Sequence, residues 1–144
     1  MQYGSVVEVE SEAMPGVRLT VRRMSFGRRL ELTRKVQELA KRLAFVAAGE
    51  KDAGSEAEQA LLGAEIDREY LRWGLVRVDG LTIDGEEATA ESLIEAGPEA
   101  LVREALAAVR REAGLSEDER KNSASPSTSC SEAKPDGSAT NAAA

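Results

Sequence analysis

The sequence predicts a mainly α fold, a small helical domain with an N-terminal β-hairpin and a disordered C-terminal tail. Three observations carry that expectation. Between positions 27 and 113 the apolar residues recur at intervals of three and four, the spacing of one face of an α-helix. Residues 5–10 (SVVEVE) and 17–23 (VRLTVRR) carry β-branched side chains instead, the second segment alternating Val17, Leu19 and Val21 with polar neighbours, as a strand does. After Asn122 the composition turns to Ser, Ala, Thr, Pro, Asp and Gly, with no Leu, Ile, Val or aromatic residue through Ala144. Such a segment buries too little apolar surface to offset the entropy of ordering it. A chain of 144 residues then has room for one domain, residues 1–122, followed by a tail, residues 123–144.

The elements follow in order. Pro15-Gly16 between the two alternating segments is a turn signal, which makes them a hairpin. From Gly27 the stripe Leu32, Val36, Leu39, Leu43 and Val46 predicts a helix to about Ala48, with Ser25 as N-cap and Gly49 as a left-handed C-terminal residue. Ser55 and Glu58 have the spacing of a capping box and predict the start of a second helix. Its stripe is Leu62, Ile66, Tyr70 and Trp73, and Gly74 stops it. Two long amphipathic helices joined by a short loop form an antiparallel pair. Around Asp79-Gly80 and Asp84-Gly85, residues 75–78 and 81–83 are short apolar pieces, read as a small hairpin or an irregular connection. Thr89 opens a short helix through Ala96, and Gly97-Pro98 restarts the chain into a helix with the stripe Val102, Leu106, Val109 and Ala113, ended by Gly114. Ser116 to Glu119 has the spacing of another capping box.

Chemistry is bounded mostly by what is missing. The chain has no histidine, which removes the commonest general base and the commonest metal ligand. Cys130 is the only cysteine, so neither an intrachain disulfide nor a thiolate metal site can form. Most carboxylates fall at helix starts or on polar faces, where solvation and the helix dipole account for them. The Asp79 to Gly85 run lacks the alternating oxygen ligands and distal Glu of a calcium loop. Neither a phosphate-binding loop nor a dinucleotide fingerprint is present. We therefore expect no catalytic residues, no metal and no cofactor. No apolar run approaches the roughly 18 residues of a membrane span, so no membrane is expected as partner and a soluble, intracellular protein is.

Charge asymmetry points to binding. Between Arg18 and Arg42 nine basic residues stand against Glu31 and Glu38, whereas the whole chain carries a net charge of −7. Within the first helix Arg28, Arg34, Lys35, Lys41 and Arg42 flank the apolar stripe rather than interrupt it. One reading is a solvated face that pairs with Glu58, Glu65, Asp67 and Glu69 of the second helix. Another is a protein-binding surface in which Phe45 supplies contact area and the five cations supply orientation. Nucleic acid is disfavoured by the acidic total and by the absence of an aromatic stacking platform.

Four stretches in series carry a resemblance: residues 17–27 (VRLTVRRMSFG) leading into a helix, 80–89 (GLTIDGEEAT), 97–101 (GPEAL) with its helix, and 115–122 (LSEDERKN). In this order they resemble the tail assembly chaperones of long-tailed bacteriophages, over residues 17–122. The resemblance implies a non-enzymatic role in the host cytoplasm: binding the aggregation-prone tape-measure protein, helping recruit the tail tube protein, and leaving before the virion is finished. It also implies that a frameshifted longer form can exist, for which the break after Asn122 is a natural junction. It carries no active-site residues, and homo-oligomerisation stays open. A structural or connector protein of the phage particle and a DNA-associated regulator are the alternative functions.

Overall fold

In the computed structural model, which describes residues 1–114, the elements run β1 (Val6–Glu10), β2 (Arg18–Arg22), α1 (Phe26–Ala48), α2 (Ala53–Gly74), β3 (Leu75–Asp79), β4 (Thr82–Ile83), β5 (Glu86–Glu87), α3 (Ala90–Ala96) and α4 (Glu99–Glu112). The fold is mainly α with an N-terminal hairpin, as the patterning predicts. The boundary after Asn122 and the capping box at Ser116 lie outside the described residues.

β1 and β2 pair antiparallel across the Pro15-Gly16 turn, where Gly16 takes the left-handed φ of 96° that a side chain resists. The sheet has a third strand. β3 adds antiparallel to β2, so that β2 is central, and this corrects the expectation of a local hairpin or irregular connection over residues 75–83. The local hairpin is the smaller β4–β5 pair around Asp84-Gly85. Its partner in the larger sheet lies more than fifty residues away, which is why local patterning could not place β3. Register sets Val7 opposite Val21 and Val9 opposite Leu19, with Val78 and Leu75 continuing those rows on β3. Leu19, Val21, Leu75 and Val78 are buried on this face, and Val7 and Val9 half-buried. The opposite face carries the row Glu8, Thr20 and Arg77, in which Arg77 lies 3.7 Å from Glu8 and 2.9 Å from Asp79.

Ser25 caps α1 as expected, accepting from the Arg28 backbone N–H at 3.2 Å. Gly49 does not take the left-handed conformation expected of it: its φ and ψ of −85° and −162° are extended. α2 starts three residues earlier than the Ser55–Glu58 capping box predicts. Its N-cap is Asp52, which accepts from the Ser55 N–H at 2.7 Å, and a carboxylate there gains from the helix dipole as well as from the bond. The Ser55 hydroxyl turns instead to the Val46 carbonyl of α1, 3.5 Å away. Thr89 and Ser92 form a reciprocal capping box at the start of α3, at 2.8 and 3.0 Å.

α1 and α2 form the expected antiparallel pair, and α1 packs on α2 more than on any other element. The apolar stripes face each other, but burial along them is uneven. Leu32, Leu62 and Trp73 are buried, whereas Val36, Leu39, Leu43, Val46, Ile66 and Tyr70 are half-buried. Trp73, with Leu71, belongs to the core under the sheet rather than to a seam along the helix pair. The α4 stripe also needs correcting. Leu101, Ala105, Ala108, Val109 and Ala113 are buried, while the expected Val102 and Leu106 are half-buried and face a groove against α2 and α3. Alanines at 105 and 108 let α4 approach β2 and α2 closely, a packing that a search for large apolar residues overlooks. The closest approach is at Gly74, where a Cβ would run into the side chain of the buried Val109.

Glu104 of α4 fastens the loop between β1 and β2. Its carboxylate accepts from the Ser11 hydroxyl at 2.5 Å, the Glu12 N–H at 2.6 Å and the Ala13 N–H at 3.4 Å. Ser11 in turn accepts from the Met14 N–H at 2.9 Å. On the other side of α4, Arg110 pairs with Asp67 of α2 and lies 5.6 Å from the centre of the Tyr70 ring.

Candidate partner-binding surface

The six residues singled out from sequence all lie on α1, but they do not form one patch. Arg28 stands at the first turn and is committed to the fold. Its guanidinium donates to the Ser5 carbonyl at 2.5 Å and the Arg23 carbonyl at 2.9 Å, tying the helix start to the hairpin. Arg34 and Lys35 are exposed and make no ion pair among the described residues. Lys41 is 3.9 Å from Glu38 in an exposed pair, a geometry that contributes little in water.

Lys41, Arg42 and Phe45 are brought together. With Val46 they line a shallow cavity of about 300 Å³ whose other wall is Glu58 of α2. The helix places them there because positions 41, 42, 45 and 46 fall within one turn and a half on the side flanking the apolar stripe. Phe45 is 82% exposed, most of its ring standing in solvent. Leu61 of α2 is 60% exposed, and Phe26 and Leu30 add apolar surface near the other end of α1. Sequence reading missed these last three. Each sits off the main stripe at a helical angle that the wheel shows once the helix ends are known, which is the signal that would have found them.

The pairing of the basic flank with the acidic side of α2 is not made. Among the described residues no ion pair joins α1 to α2: of Glu58, Glu65, Asp67 and Glu69 only Asp67 is paired, with Arg110 of α4, while Arg72 and Arg68 of α2 turn to α3, Arg72 to Glu91 at 3.0 Å and Glu95 at 3.3 Å and Arg68 to Glu95 at 3.9 Å. The flank of α1 is thus a cationic surface with an apolar side chain standing on it. Chemically, such a surface is able to attract and orient an acidic partner through its ammonium and guanidinium groups and to gain affinity by desolvating the phenyl ring.

A second concavity, about 400 Å³, lies between α2, α3 and α4, with Leu71, Ile94, Val102 and Leu106 at its floor and Arg68 and Arg103 at its rim. No group of three or more Cys, Asp or Glu residues is gathered to hold a metal ion among the described residues, and no described helix is long and apolar enough to cross a membrane. No protein-family model matches the chain, and neither a curated protein nor a solved structure does.

Proposed function

We propose that the chain is a non-enzymatic tail assembly chaperone of a long-tailed bacteriophage, which binds the tape-measure protein in the host cytoplasm, assists tail tube assembly and is left out of the mature virion. The observation that supports this reading best is Phe45, exposed beside Lys41 and Arg42 at the rim of an apolar-walled cavity. A chaperone needs a surface that covers apolar client segments yet does not precipitate alone, and cations around an isolated aromatic side chain meet both requirements. The serial resemblance over residues 17–122 supplies the identity of the client.

Coexpression tests it. Reversing Arg34, Lys35, Lys41 and Arg42 to Glu changes the local charge by eight units and touches no buried contact, so circular dichroism should be unchanged. The reversed protein should solubilise a tape-measure fragment several-fold less well than the original. If it solubilises the fragment equally, the client is not held by this flank. Purified particles provide the second arm: retention of the chain in them favours a structural or connector protein.

A further inference from the structure

One face of the α1–α2 hairpin carries opposite charges on its two helices. α1 has six basic residues against two acidic, and α2 has five acidic against two basic. With about 100° per residue, Lys35 shares a flank of α1 with Arg42 and Phe45, and Leu61 and Glu65 share a flank of α2 with Glu58; Arg42, Phe45 and Glu58 line the cavity between the two helices. Lys35 and Arg42 are two helical turns apart, and so are Glu58 and Glu65, about 10.5 Å along each axis. None of these four charges makes an ion pair among the described residues. Phe45 and Leu61 meanwhile stand in water.

We infer that this face docks on the same face of a second copy of the chain, about a two-fold axis running along the hairpin, with α1 of each protomer antiparallel to α2 of the other. Charge complementarity selects both the occupant and the orientation. A two-fold axis across the hairpin would lay α1 on α1 and set cations against cations, which disfavours that arrangement. An axis along it lays the basic helix on the acidic one twice over, as a two-fold interface requires. The contact of Ser55 with Val46 fixes the level at which the helices run side by side, and there Arg42 and Glu58 stand at nearly the same height. Identical spacing on the two helices then lets Arg42 meet the partner's Glu58 while Lys35 meets the partner's Glu65. Phe45 and Leu61 come under cover in the same step. Burial of these apolar groups supplies the affinity, and the charges choose the arrangement.

The inference does not rest on the tape-measure reading: the dimer would cover the same Phe45 and Arg42 that the reading gives to the client, so the two bindings exclude each other, and the test contains no client. Sedimentation equilibrium should show a dimer for the wild-type chain. K35E/R42E and E58K/E65K should each weaken self-association about a hundredfold or more, because each variant sets like charges against like at both contacts. Mixed in equal amounts, the two variants should restore the dimer, since the acidic α1 of one then meets the basic α2 of the other. Circular dichroism confirms that each is folded. A wild-type chain that stays monomeric overturns the inference. So does a dimer that persists in either variant, and so does a mixture that fails to recover.

Discussion

At Glu104 a single carboxylate joins parts of the chain 93 residues apart. Burial works to raise its pKa, but the bonds from the Ser11 hydroxyl and from the Glu12 and Ala13 N–H groups outweigh that and hold it below the ordinary value. A carboxylate favoured in the folded state adds stability that is fully present above the unfolded-chain pKa of about 4.3 and is lost as pH falls through the lower folded value. Thermal melts should therefore show Glu104→Gln less stable than wild type near neutrality by about 1 kcal/mol, with the difference shrinking in acid. A difference that stays constant down to the acid transition would mean that the charge of Glu104 plays no part. The sequence offers no local hint of this clip. A lone Glu on the polar side of a helix is indistinguishable from a solvated one until the loop that caps it is in place.

The helices show which signals are local enough to read. Ser25 and Thr89 are caps because a short polar side chain precedes a periodic run, and both function as such. Asp52 and Ser55 present rival signatures three residues apart, and the one bearing charge prevails. β3 was unreadable as part of the main sheet, since pairing with β2 depends on a partner far along the chain. Two glycines of α2 make the contrast between local propensity and packing measurable. Gly63 has open space where a Cβ would go, so Gly63→Ala should raise stability by up to about 1 kcal/mol through helix propensity alone. At Gly74 the same gain is offered, but the added methyl would strike Val109, and overpacking of about 1 to 3 kcal/mol should dominate. Denaturant midpoints moving in opposite directions for the two variants is the expected outcome. Equal gains would show that α4 yields easily at Val109.

Over the described domain as a whole, burial is heaviest around the sheet, with Leu62 in the middle of the helix pair buried as well. Leu101 is fully buried under β2, whereas Leu39, at the same chemistry, is half-buried in the helix pair. Leu101→Ala should cost about 2 to 5 kcal/mol, and Leu39→Ala roughly half as much or less, since part of its surface is already hydrated. A urea titration that ranks them the other way would place the stability centre in the helix pair. The candidate surface divides in the same manner. Lys41, Arg42 and Phe45 were legible because one helix carries them all, while the place of Glu58 across the cavity from them became visible only when the second helix was set beside the first. The role of Arg28 in tying the helix start to the hairpin was hidden for the complementary reason, its carbonyl partners lying at Ser5 and Arg23.

α2 passes into β3 with no intervening residue, Gly74 closing the helix and Leu75 opening the strand. Its 22 residues make an unbroken rod of about 33 Å, anchored at the foot by Trp73 and bolted from the side by Arg110. A loop at that junction would have been a swivel. Without one, a tilt of the far end of the rod is passed directly to β3 and to Val109, against which Gly74 packs.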